Sequence, residues 1–543
     1  MSVLQPHPAE PEHTRRAATA APDNTKVPRA HTVDMTRRPI PLREQGGVSQ
    51  PLSLENVLDI GLWTTTRQTL SGLWNELRQR APEAGHAIRA VGLGNVLGTL
   101  LMHLPVIMIS MTLYMMHALL LGSAHDAGYA VSAYVVSVGL AVLLDPIVVR
   151  WLGTRTAMGS SAFNNMVAVS YLLYMVFKLE RDSTQVGTFE MAISIIAVGI
   201  STPVWATLNH ERKYGASNIR MNDRQLFGMA VIANSVNLAV YPLAVGAMYG
   251  AQQIALSVGG VPAQNFLAIY GGLITVLLLD LTMVLTSVFK PSKVPDSAPS
   301  TVPAYRRSLL SSSTIVSQKN LLSEAPSGAM PGDTSVHLLL EDKEMQKQAQ
   351  RFALVVSLGL GLLGICLGAI TSGTLSYAMT NNMVREFPQL MFIIAGAAWV
   401  AAIPVLLTNM RLTPWVGWVL SAMGLIGTSL MLPTTQDHMK MALFLGLYGA
   451  MLGIAAAGHL QTLSRLDMVL PHAKIFIFAG FITAVGVPVG SMWGGYLGDS
   501  SYHSNAFMVP VWASCAYLLL GHVFGYLWRS FYEPHLEPLD PED

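Results

Sequence analysis

The sequence predicts an all-α membrane protein with about twelve spanning helices in two six-helix halves, and three observations predict it. Hydrophobic residues make up 51% of the 543 and charged residues only 12%, with a mean hydropathy of +0.43; a soluble domain carries about twice that charge fraction. The missing charge is missing in blocks: no Asp, Glu, Lys or Arg occurs from Ala90 to His125, from Gln225 to Leu279, or from Phe352 to Val384. Each block accommodates at least one span of roughly 20 residues, and in hydrocarbon runs this apolar satisfy their backbone as helices. The third observation is where the cations sit, and it depends on the order of the elements.

Residues 1–52 read as a disordered cytoplasmic tail, Pro-rich and poor in aromatics, without the apolar stretch of a signal peptide. In 53–92, Leu70, Leu73, Trp74 and Leu77 recur at helical spacing with Arg67, Arg78 and Arg80 nearby. That pattern fits an amphipathic helix on the membrane surface or a short helix packed on the protein's own cytoplasmic face. The first half, 93–289, holds spans near 97–121, 128–149, 160–177, 188–209, 226–249 and 265–289. A flexible cytoplasmic middle loop is expected over 290–350, rich in Ser, Pro and charge, with a short helix from Leu338 to Gln350. The second half, 351–532, holds spans near 352–376, 388–409, 413–433, 440–463, 474–497 and 505–529, and 533–543 is a short acidic tail.

With the N-terminus inside, internal loops collect Arg150, Arg155, Arg212, Lys213, Arg220, Arg224, the many cations of the middle loop, Arg411, Arg465, Lys474 and Arg529. External connections hold only Lys178, Arg181, Arg385 and Lys440. This asymmetry predicts cytoplasmic termini and supports the span count, because one missed helix would scramble it. Net charge is +1, which gives no field to attract nucleic acid. Cys366 and Cys515 both lie in apolar runs and fit neither a disulfide framework nor a metal site. No catalytic motif, nucleotide-binding loop or metal-ligand spacing is present, so neither an enzyme nor a cofactor is expected.

The halves share punctuation. The second span ends in Pro146-Ile-Val-Val-Arg150-Trp-Leu-Gly153-Thr-Arg155, and the eighth in Pro404-Val-Leu-Leu-Thr408-Asn-Met-Arg411. The fifth carries Pro242-Leu-Ala-Val-Gly246 and the eleventh Pro488-Val-Gly490-Ser-Met-Trp-Gly494. On this topology, these repeated prolines and the long middle loop, residues 95–530 resemble the major facilitator superfamily as a divergent member. Aligned on Gly153 to that family's Gly-x-x-x-Asp-Arg-x-Gly-Arg loop, Pro146 replaces the first glycine, Arg150 replaces the aspartate, and Arg155 falls near the closing basic residue. Asp145 reads as a structural group bonding the short turn.

Ionisable and polar groups inside spans are functional candidates by default. Asp280, flanked by leucines, is a candidate for a proton-exchanging carboxyl. The resemblance implies a central cavity lined by spans one, four, seven and ten, which makes His103, Tyr114, Trp205, Thr371, Tyr377 and Tyr448 candidates for the substrate or proton path. These residues suit an amphipathic organic solute; each is also an ordinary packing or interhelical hydrogen-bonding residue in its own right. The leading expectation is a secondary transporter working by alternating access, driven by protons or another ion. Export of an amphipathic solute is favoured over nutrient uptake. Its partners would be a small-molecule substrate, protons and the bilayer, in a bacterial inner membrane. The alternatives are a lipid-moving protein on the same fold, or a scaffold or sensor recruiting cytoplasmic proteins through 1–90 and 290–350.

Overall fold

A computed structural model describes residues 93–120, 122–152, 154–181, 187–202, 223–258, 264–289, 333–407, 414–435, 437–469, 474–500 and 503–527. The expected tail 1–52, the surface helix 53–92, most of the middle loop and the acidic tail lie outside them. Twelve long helices account for almost all described residues. In the first half these are α1 (Leu93–Leu120), α2 (Ala124–Leu152), α3 (Thr154–Arg181), α4 (Thr188–Ser201), α5 (Asp223–Val258) and α6 (Gln264–Phe289). The second half supplies α7 (Asp333–Thr380), α8 (Phe387–Leu407), α9 (Pro414–Met431), α10 (His438–Val469), α11 (Lys474–Ser500) and α12 (Met508–Leu527). A single turn, His503–Ala506, precedes the last.

Eight of the helices carry stretches long and apolar enough to cross a membrane, and three more carry shorter apolar stretches in α1, α4 and α6. Large apolar side chains such as Leu144, Val167, Val400, Leu420 and Leu519 are exposed on the outside of the bundle, where hydrocarbon is their natural solvent. The protein is an integral membrane protein.

Hydroxyl side chains inside the helices mostly return to their own backbone: Thr112 donates to Met108 O, Ser357 to Ala353 O, Thr371 to Leu367 O and Thr483 to Ala479 O. Such back-bonding satisfies a polar group without a second helix. Prolines 105, 242, 404 and 488 all sit inside helices, which a membrane bundle tolerates where a soluble helix would break. Spans two and eight, drawn to 149 and 409, run past their prolines: α2 continues beyond Pro146 to Leu152 and α8 beyond Pro404 to Leu407.

Three boundaries differ from expectation. The fourth span was drawn to 209, but α4 ends at Ser201, and Thr202 is extended at φ −50°, ψ 135°, the conformation that Pro203 imposes on its predecessor. The fifth helix overruns its expected span at both ends. The seventh begins at Asp333 rather than near 350, because Leu338 to Gln350 is an unbroken run of good helix formers that joins the span without a stop. The short helix expected from Leu338 to Gln350 is therefore present, but it begins at Asp333 and is continuous with α7 rather than separate from it.

The internal repeat is visible in the packing. Within the first half α1 packs on α5 and α6, α2 on α4, α3 on α4 and α6; within the second, α7 packs on α11 and α12, α8 on α10, α9 on α10 and α12. Shifting every label by six converts one set into the other. Even the turns match: α1 is followed by Gly122 at φ 65° and α7 by Asn382 at φ 56°, both the left-handed residue that closes a helix C-terminus. Between the halves the main contacts are α2 with α11 and α5 with α8, again partners under the same shift.

Candidate functional site

Glycine rows hold the helix pairs of the second half close. Gly361, Gly364 and Gly368 of α7 lie against the backbone or side chains of α11, whose Gly486, Gly490 and Gly494 face back onto α7. On α10, Gly449 and Gly453 lie against the Ile394 and Ala398 carbonyls of α8. Both rows stitch the second half together internally. The cross-half seam is lined differently, by single small residues and polar bonds. Gly128 of α2 meets the Ser491 carbonyl, Gly139 meets Ala484, and Gly495 of α11 meets Ala124. Gly246 of α5 lies against Phe392 of α8, on which Tyr249 stacks.

The polar centre of that seam lies where α1, α5, α7 and α11 converge, two helices from each half. Tyr114 of α1 and Ser491 of α11 share a hydrogen bond of 2.7 Å between their hydroxyls. Ser372 of α7 donates to the Ser491 carbonyl at 2.9 Å, and the Tyr114 hydroxyl also faces Ser372. Beside it the Tyr241 hydroxyl of α5 faces Thr371 of α7. Phe387 stands edge-on to the Tyr114 ring at 6.1 Å. Tyr114, Thr371, Ser372 and Ser491 are all buried. The centre thus offers aromatic faces and hydroxyls that can donate or accept.

Further cross-half bonds lie toward the end of the bundle that carries the α1–α2 and α7–α8 turns. Ser132 donates to Pro488 O at 3.2 Å. The Gln252 amide donates to Arg385 O at 2.7 Å. The Asp499 carboxylate accepts from the Ser123 hydroxyl at 3.0 Å and from the His125 backbone N–H at 2.9 Å, so a residue of one half caps the first turn of α2 in the other. The halves are bonded together at this end.

The sequence candidates divide among different places. Tyr114 and Thr371 sit in the central cluster. His103 is half-buried on α1, 11 residues before Tyr114 and so about 16 Å along the helix. Tyr377 is buried in the last turn of α7. Tyr448 lies within the second half, its ring buried and its hydroxyl against the Cys366 thiol, which in turn approaches Ser514 of α12 at 3.5 Å. Asp280 is buried within the first half. Asp145, Pro146 and Arg150 fall in the last turns of α2 and Arg155 in the first turn of α3, whereas Gly153 and Trp205 are outside the described residues.

Sequence reading passed over Tyr241, Ser491 and Asp499. The signal for two of them was present. Tyr241 directly precedes Pro242 and Ser491 follows Pro488 by three, so both belong to the matched proline segments of repeat-related helices.

Comparison with solved structures settles what this arrangement is. A D-xylose–proton symporter structure covers 83% of this chain and 100% of its own at 14% identity, with a TM-score of 0.55. The major facilitator superfamily proton:xylose symporter XylE bound to 6-bromo-6-deoxy-D-glucose covers 82% of this chain and 96% of its own at 12% identity and a TM-score of 0.52. The inward-open xylose transporter XylE from E. coli covers 84% and 98% at 13% identity and a TM-score of 0.51. The chain has the major facilitator fold. No protein-family model and no curated protein matches its sequence, in keeping with a divergent member of that fold whose loop after α2 keeps little of the family pattern. The Tyr114–Ser491 cluster sits where α1 and α5 of one half meet α7 and α11 of the other.

Proposed function

We propose that the protein is a secondary transporter that moves a small amphipathic organic solute by alternating access of its two halves, coupled to a proton or other ion gradient. One observation carries this reading: the hydroxyl and aromatic cluster of Tyr114, Tyr241, Thr371, Ser372 and Ser491 is built from both halves and comes apart if they separate. A buried group shared by two moving bodies is the place where a solute replaces protein–protein bonds with its own. Neutral hydroxyls and ring faces match a solute with hydroxyl or amide groups and an apolar body, and these side chains add no formal charge to hold a strongly ionic one. The solved structures of the same fold include proton symporters for xylose, which supports a coupled mechanism. His103, half-buried lower on α1, and Tyr377 are proposed as path residues on either side of this centre, Trp205 as a path residue on its sequence alone, and Tyr448 as a group that shapes the second half.

On the orientation read from the cations, the bonded end faces outward. The bacterial inner membrane is the proposed location. The test is flux in liposomes of purified protein, with and without a pH gradient, across sugars, neutral amphiphiles and organic cations. Saturable flux of one class, lowered several-fold by Tyr114→Phe or Ser491→Ala, is expected. Folded protein that shows no saturable flux of any class under either gradient would overturn the reading.

A further inference from the structure

A second polar cluster lies wholly inside the first half, away from the seam. The Asp280 carboxylate of α6 has no solvent exposure. Its Oδ2 accepts from the Asn165 amide of α3 at 2.8 Å, while its Oδ1 has no hydrogen-bond partner. The Ser201 hydroxyl, which donates to Ala197 O at 2.7 Å, also stands 3.3 Å from the Asn165 carbonyl oxygen, and Ser201 is the last residue of α4. That helix is only 14 residues long, about 21 Å against a hydrocarbon core of roughly 30 Å, so its end falls within the membrane. The Thr202-Pro203 step turns the backbone out of the helix there. Ser161 of α3 donates to two carbonyls at this end, Ser201 O at 3.1 Å and Thr202 O at 3.0 Å. One hydroxyl proton cannot satisfy two carbonyl oxygens fully.

A helix C-terminus carries partial negative charge, and here it stands beside a buried carboxyl. Asn165 and Tyr134 of α2, whose hydroxyl lies beside Thr202, are the groups facing Asp280, and neither is a base. The other helices packed on α6 are α1 and α5. Their described ionisable side chains are His103, Tyr114 and His117 on α1 and Tyr241 and Tyr249 on α5. His117 bonds Leu113 O on its own helix, Tyr114 bonds Ser491, Tyr241 faces Thr371, Tyr249 stacks on Phe392, and none of the five bonds Asp280. The described charges of α3, Lys178, Glu180 and Arg181, lie about 20 Å along that helix, and Glu190 of α4 about 16 Å from Ser201. Negative charge is concentrated with no described cation to balance it.

We propose that Asp280, Asn165 and the C-terminal end of α4 form a binding site for a single monovalent cation, a proton or a sodium ion, held inside the first half. As the coupling ion's site it rests on the transport reading; as a cation site it does not, and it is tested without flux. Broken spans whose terminal carbonyls join a buried carboxyl are a recurrent way to hold a coupling ion in a membrane. The cation fills the open valence at Oδ1, ties α6 to α3 and α4, and makes the packing of these three helices depend on occupancy.

The experiment is thermal unfolding of the full-length protein in detergent, titrated with pH in choline buffer and with sodium at fixed pH. Infrared difference spectra of the same samples read the carboxyl directly. A proton site gives stability that rises as pH falls, independent of sodium, with a carboxylic C=O band that appears over the same range. A sodium site gives saturable stabilisation by sodium and no such band. Either response should vanish in Asp280→Asn, weaken about tenfold in apparent affinity in Asn165→Ala and persist in Glu190→Gln. Asp280→Glu, which keeps the carboxyl, should retain the response with a shifted midpoint, and serves if the Asn variant does not fold. A response that survives in Asp280→Asn, or a wild type indifferent to both ions, would overturn the site. Flux without an Asp280-dependent cation response removes the site and leaves the transporter; the reverse leaves the site and removes the transporter.

Discussion

The hydroxyl of Tyr114 is satisfied by the opposite half of the molecule, and that dependence sets what its removal does. Tyr114→Phe keeps the ring against Phe387 but leaves Ser491 short of a partner, so it should lower thermal stability in detergent by about 1 kcal/mol. His459 is a contrasting case. It is buried between Trp418 at 4.3 Å and Tyr517, whose hydroxyl meets its Nε2 at 2.9 Å, and Trp418 donates to Tyr517 O at 2.8 Å. All three residues belong to the second half, so His459→Leu should cost roughly 1–3 kcal/mol and leave any response to pH or sodium as it was. From sequence alone His103 and His459 are both simply histidines in apolar runs. Only packing separates a half-buried one on a seam helix from one enclosed by aromatics. Asp280 was legible because a carboxylate among leucines is rare; Ser491 was not, because serines in spans usually bond their own helix and give no outward sign when they do not.

The helices were the most legible part, since charge-free blocks and prolines mark them by composition. Their ends were less so: nothing in the hydropathy of 188–209 distinguishes a helix that stops at Ser201, although the Thr202-Pro203 pair could have been read as a break. The glycine rows of α7 and α10 were visible as a pattern but not in their direction, because a stripe does not say which neighbour it faces. That direction yields a paired prediction. Gly453 lies hard against the Ala398 carbonyl and leaves no room for a side chain, so Gly453→Val should force α10 off α8 at a cost of about 1–3 kcal/mol. Gly458 has nothing within 4 Å of where a Cβ would be, and Gly458→Ala should instead be neutral or add up to about 1 kcal/mol through helix propensity. Thermal unfolding of the two variants side by side decides between a one-sided row and a stripe that is uniformly needed.

At the scale of the whole molecule, the two halves are joined chiefly along two helix pairs, α2 with α11 and α5 with α8, while each half is knit internally along several. Alternating access then requires the Asp499 cap on α2 to release. In a Cys515→Ser background, cysteines at Ser123 and Asp499 joined by a short bifunctional reagent should stop flux, and cleaving the linker should restore it. Flux that continues under complete cross-linking would mean that this end does not open. The repeat behind this behaviour could be read from the sequence only through its prolines, with spacings too loose to align. It became clear once helix pairs replaced residues as the unit, because twelve apolar segments look alike until their partners are known.

The continuity of α7 has a mechanical consequence. From Asp333 to Gln350 the helix reaches past its membrane stretch, Gln350–Thr380, by roughly 18 residues, an arm of about 27 Å at 1.5 Å per residue. A rigid rod magnifies the motion of the body that carries it, so a tilt of the second half by about 10° would sweep the arm's tip through on the order of 5 Å. Anything that grips the tip acquires a lever on the transport cycle, and a label at exposed Lys347 would show each stroke as a change of distance.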